Sequence, residues 1–187
     1  MKKITVGSLI WCTLLFSCVS TPPPSVQENV IIQHAREDLV RGDYDWVVHD
    51  MEKYLQNYSR SSLAAEAYLL LGEATKGQID TARKEKNITG MFLTTYTAPL
   101  IQKAYENYML AAEEAINDQI ASEALFKAAV MLDIGYMKIF DKALVVYGDV
   151  IKKFPGTTWA ETAQVRYDNL AGKFRSLQSG PHKIPVQ

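Results

Sequence analysis

Between Phe140 and Phe154 the chain places apolar side chains at Phe140, Ala143, Leu144, Tyr147, Val150, Ile151 and Phe154. Spacings of three and four put all of them on one face of a helix. The same stripe occurs 96 residues earlier, as Tyr44, Val47, Val48, Met51, Tyr54, Leu55 and Tyr58. A third copy lies 39 residues before the first one named, as Ile101, Ala104, Tyr105, Tyr108, Ala111, Ala112 and Ala115. A chain built this way has few folds open to it. Each amphipathic unit leaves an apolar face that only the next unit can cover, so the units must stack in order.

The junctions that follow the stripes align without gaps, as YSRSSLAAEA, AINDQIASEA and FPGTTWAETA. Each offers a capping side chain for the helix it opens, Ser61, Asp118 and Thr157, able to accept from free backbone N–H groups. An apolar plug comes two residues later (Leu63, Ile120, Trp159). Alanines three apart follow: Ala64 and Ala67, Ala121 and Ala124, Ala160 and Ala163. Small side chains at that spacing let two helix backbones approach closely. Pro155 stops the preceding helix, and Ser59 and Ile116 stand at the equivalent place.

Helix, tight turn, helix, then aromatic-Pro-x-Ser/Thr-x-x-Ala-x-x-Ala resembles the tetratricopeptide repeat, whose period is about 34 residues. The resemblance spans roughly 30–175. RGDYDWVV at 41–48 and KIFDKALVVY at 138–147 fit the turn and opening of a second repeat helix. It implies an all-α fold, a short tetratricopeptide-like solenoid of three helix hairpins plus a C-terminal capping helix. The spacing departs from the family once. Copies one and two are 57 residues apart, so an insertion lies at about 73–98. The expected helices are 26–41, 43–57, 61–87, 99–116, 119–134, 138–154 and 158–175, with a loop through Gly90, Pro99 in a first helical turn and a frayed tail at 176–187.

Lys2 and Lys3 precede a mostly apolar run from Ile4 to Ser17, of signal-peptide length and short of a membrane span. It ends in Leu15-Phe16-Ser17-Cys18, which resembles the lipobox of bacterial lipoproteins. That resemblance implies a signal peptide at 1–17, lipidation of Cys18, and a Pro-rich spacer through residue 25. Cleavage there would leave a single cysteine and no intramolecular disulfide. Loss of Lys2 and Lys3 takes the formal charge from −1 to about −3, and no basic patch points to nucleic acid.

No acid–base pair, nucleophile elbow, phosphate loop or metal-ligand spacing stands out, so neither catalysis nor a cofactor nor a metal is expected. His34, His49 and His182 have no cysteine or spaced carboxylates to complete a set. The insertion joins a basic stretch (Lys76, Arg83, Lys84, Lys86) to the apolar MFLTTYTAP. That loop either binds a partner, through Phe92 and Tyr96, or folds back onto its own hairpin. A solenoid's concave surface would offer Arg36, Tyr68 and Lys127.

Together the two resemblances imply a lipid-anchored, periplasm-facing scaffold of the bacterial cell envelope, akin to repeat lipoproteins of the BamD and YbgF type. Its partner would be an envelope protein, its membrane contact the lipid anchor, its place the outer membrane, and an accessory role in outer-membrane protein assembly would suit it. The alternative is a carrier or receptor for a small or lipidic ligand, as in transporter-associated repeat lipoproteins. An enclosed apolar pocket would favour the carrier, an open polar groove the scaffold.

Overall fold

A computed structural model describes residues 23–85, 91–134 and 139–178, apart from the side chains of 85, 91–94, 134, 174 and 176–178. Among the described residues the fold is all-helical, with seven helices and no strand. They are α1 (Val26–Arg41), α2 (Tyr44–Asn57), α3 (Ala64–Glu85), α4 (Met91–Glu114), α5 (Asp118–Ile134), α6 (Phe140–Lys153) and α7 (Thr158–Gln178). Each helix packs on the next in the chain, and α1–α3, α3–α5 and α5–α7 also touch. The even-numbered helices stand farther apart, and α4 reaches α2 through the Lys103–Glu52 ion pair at 2.7 Å. The odd-numbered helices therefore form one continuous layer, against which the even-numbered ones pack.

Burial repeats in register with the sequence. Val47, Ala104 and Ala143 are buried, as are Met51, Tyr108 and Tyr147, and Tyr54, Ala111 and Val150. Leu55, Ala112 and Ile151 are half-buried in all three copies. Both alanines of each junction are buried too. The core is accordingly three clusters in a row: α1–α2–α3, then α3–α4–α5, then α5–α6–α7.

Each hairpin is fastened by one tyrosine. Tyr54 of α2 donates to Glu28 of α1 (3.0 Å), Tyr108 of α4 to Glu73 of α3 (2.9 Å), and Tyr147 of α6 to Asp133 of α5 (3.3 Å). The rings are buried and the hydroxyls end on carboxylates, which satisfies a polar atom that burial would otherwise penalise. Burial pushes the Tyr54 phenol up to about 12, with Glu28 adding to the rise and Ser61 opposing it. Burial and then the partner carboxylate raise Tyr108 and Tyr147 as well. Glu28 also completes a capping box with Ser25 at the start of α1. Hydrogen bonds from Ser61, the Ser25 backbone and Tyr54 hold its carboxyl down at about 2, against the opposing effect of burial.

Three expectations are corrected. The cap of α5 is Asn117, whose Oδ1 accepts from Ile120 N at 2.9 Å; Asp118 is already the first helical residue. Ser61 and Thr157 do accept from Leu63 N and Ala160 N, each at 3.1 Å. The segment expected as a loop before Pro99 is helical from Met91, and Pro99 sits inside α4. Pro99 cannot donate to the Thr95 carbonyl, which costs about 3 kcal/mol in a helix interior. Burial along one face, Thr97, Ile101, Ala104, Tyr108 and Ala111, offsets that cost. Finally, α7 runs through Gln178, three residues past its expected end, and the rest of the expected tail lies outside the described residues.

Gly72 of α3 lies under the Tyr108 ring, and a Cβ there would stand 2.5 Å from it. Since Tyr108 is fully buried, Gly72→Ala is expected to destabilise by about 1–3 kcal/mol despite the better helix propensity. Gly172, with nothing within 4 Å, is the control: Gly172→Ala should stabilise by about 0.5 kcal/mol. Urea unfolding of both variants checks this, and equal shifts would contradict the Tyr108 packing.

The Glu28 shift sets an acid-side prediction. A carboxyl depressed from 4.5 to about 2 contributes stability that is present above pH 4.5 and lost as pH falls towards 2. Urea midpoints at pH 5, 4 and 3 should therefore fall less steeply for Glu28→Gln than for the parent chain. Parallel slopes would mean that other carboxylates dominate.

Candidate functional site

The lengthened second hairpin makes the most distinctive surface. Ile101 is the counterpart of Tyr44 and Phe140, the first residues of α2 and α6. The ten residues 91–100 of α4 have no counterpart in the other hairpins, and at 1.5 Å per residue they extend it by about 15 Å. On the partner helix of the hairpin, the Tyr44 ring lies against Gly77, and α3 continues eight residues beyond, to Glu85. The pair of helices overhangs the α1–α2 turn.

In that corner lies a groove of about 550 Å³. One wall is the turn from Gly42 to Trp46; the other is Gln78 and Ala82 of α3 with Tyr96 and Leu100 of α4. Gly42 ends α1 in the left-handed region, at φ 85°, a conformation glycine adopts without a Cβ penalty. Asp43 N then donates to the Asp38 carbonyl at 2.9 Å. This sharp reversal turns Asp45 and Trp46 towards the overhang. Gln78 Nε2 donates to Asp45 Oδ1 at 2.6 Å and so ties the turn to the insertion. Trp46 is 65% exposed and Tyr96 48% exposed, large aromatic areas for residues in a folded domain. The His49 ring meets Trp46 edge-on, 6.3 Å between centroids.

The structure brings together some expected residues and separates others. Tyr96 lines the groove. Phe92 lies in α4, but its side chain is outside the described residues, as is Cys18 altogether. Tyr68 is half-buried against the first core cluster. Arg36 is paired with Glu66 of α3. Lys127 bridges Glu73 of α3 and Glu123 of its own helix, both at 2.7 Å, and its ammonium stands 5.9 Å above the Trp159 ring. Burial pulls the Lys127 pKa down, but the two carboxylates outweigh it and the value is raised. Arg166 of α7 completes the series on Asp133 of α5, at 3.7 Å. One ion pair thus joins each neighbouring pair of odd helices.

The sequence reading missed Trp46, Asp45 and Gln78. A signal for Trp46 was present: its counterparts in the other copies are Lys103 and Lys142, so an indole replaces a lysine on the polar side of the stripe. Among the described residues no cluster of His, Cys, Asp and Glu could hold a metal, and no helix is long and apolar enough to cross a membrane. No family model, curated protein or solved structure matches this chain.

The two expected cations should differ in weight. Arg36 is half exposed, whereas Lys127 and its partners are about a quarter exposed. Arg36→Met should cost at most about 1 kcal/mol. Lys127→Met, which keeps the stem and leaves Glu73 and Glu123 facing each other, should cost about 1–3 kcal/mol. Denaturant titrations in low and 0.5 M salt would show it, and equal costs would mean the Lys127 bridges are solvated.

Proposed function

We propose that this chain is a lipid-anchored, envelope-facing scaffold of tetratricopeptide-like hairpins that binds another protein. The observation that carries the reading is the groove in which Trp46 and Tyr96 stand exposed. Aromatic side chains of this size are the usual anchors of protein interfaces. The Cys18 lipobox resemblance supplies the address, the bacterial cell envelope with the domain facing the periplasm. The groove is open and carries Asp43, Asp45 and Gln78 among its walls, a composition that favours a polar partner surface over an enclosed lipid-carrier cavity. An accessory role in outer-membrane protein assembly fits the same reading.

The test uses the full-length lipoprotein in its native membrane, with a photo-crosslinking phenylalanine at position 96 or, as control, at exposed Val165. The expected result is one envelope protein captured from position 96 and not from 165, and lost on Trp46→Ala. Cys18→Ser should release the chain from the membrane fraction. Recovery of a lipid or metabolite with the domain, and no protein from either position, would replace the scaffold by the carrier.

A further inference from the structure

The groove carries a charge that its own walls do not balance. Asp43 is paired with Arg41 at 3.1 Å. Asp45 meets only the neutral Gln78 amide, and among the described residues no salt bridge reaches it. Among the described residues no lysine or arginine lines the groove. Asp45 and Trp46 are adjacent in the chain, and the exposed Tyr96 faces them from the overhanging hairpin. A carboxylate beside aromatic faces is the complement of a cation, which gains both from the negative charge and from the ring quadrupole. An arginine or lysine adds an aliphatic stem that can lie along an apolar wall, here Leu100 and Ala82. An acidic segment would meet repulsion from Asp45, and the nearby Arg41 is already engaged by Asp43.

We propose that this groove receives an arginine or lysine side chain from the protein partner, its cation paired with the Asp45 carboxylate and its approach lined by the Trp46 and Tyr96 rings. The proposal rests on the scaffold reading for the origin of that side chain, and Gln78 serves as the positioning residue that fixes the carboxylate.

The chemistry can be read without knowing the partner. Nitrogen-labelled full chain in detergent is titrated with N-acetyl-arginine amide, N-acetyl-norleucine amide and N-acetyl-glutamate amide, following the Trp46 indole N–H by NMR. The arginine probe should shift that resonance and saturate in the millimolar range, with little response to the other two. Asp45→Asn, an exposed substitution that leaves the fold intact, should weaken the arginine probe by about five-fold or more. Gln78→Leu, which keeps the charge and removes its tether, should weaken it less.

Equal shifts from the norleucine probe, or no effect of Asp45→Asn, would overturn the proposal and leave an apolar contact site. The crosslinking experiment separates the two levels. Capture at position 96 that persists in Asp45→Asn keeps the scaffold and removes the cation. A bound arginine probe without any captured protein removes the scaffold and with it the peptide origin of the cation.

Discussion

The stack of helices depends on one recurring contact, a buried tyrosine hydroxyl on a carboxylate of its own hairpin. Tyr54–Glu28, Tyr108–Glu73 and Tyr147–Asp133 join α2 to α1, α4 to α3 and α6 to α5. None of the three carboxylates ends there. Glu28 is hydrogen-bonded by Ser61 at the entrance to α3, Glu73 takes Lys127 from α5, and Asp133 takes Arg166 from α7. Each carboxylate therefore fastens its hairpin and holds the next odd-numbered helix. Hydrogen bonds to charged acceptors contribute roughly 1.5–3 kcal/mol each, and a half-satisfied group costs a comparable amount. That asymmetry makes the stacking order specific: a slipped hairpin would leave a buried or partly buried carboxylate without its partners.

The apolar stripes alone would allow some sliding, because three similar faces can cover one another in several registers. The polar contacts remove that freedom. They also explain a difference between the copies. The first hairpin carries Met51 and Tyr54 where the others carry Tyr108 with Ala111 and Tyr147 with Val150. Its tyrosine sits one turn later because its carboxylate, Glu28, lies at the very start of α1. Each hairpin sets one tyrosine on its acid, placed to match that acid's height.

Most of the helix plan was legible in the sequence, since stripes, caps and alanine pairs are local signals. Tyr44 to Tyr58 and Phe140 to Phe154 carry their helical period within fifteen residues, and the structure buries the positions the period picks out. What was not legible is non-local. Tyr108 and Glu73 are 35 residues apart and Tyr54 and Glu28 are 26 apart, so no window contains both. Asn117 and Asp118 are both competent caps, and only the backbone path chooses between them. Pro99 pointed to a helix start, yet burial of Thr97 on the same face as Ile101 and Ala104 carries the helix back through it. Tyr96 was singled out from the sequence and lines the groove. Trp46 carried a signal in replacing a lysine of the other copies, while Asp45 carried none, because the groove exists only where the insertion overhangs the first turn.

The ion pairs on the odd-helix layer bear on where such a chain can bind. Arg36, Lys127 and Arg166 each face a carboxylate of the neighbouring helix, so a partner docking there would have to displace an existing pair and desolvate both halves. The α1–α2 corner imposes no such exchange. Among the described residues Asp45 has no cation to give up, and the Trp46 and Tyr96 rings gain from being covered. The lengthened hairpin thus moves the favourable surface from the layer that holds the stack together to an edge that does not. Changes in that edge can alter the exposed surface while the Tyr–carboxylate contacts keep the stack in place.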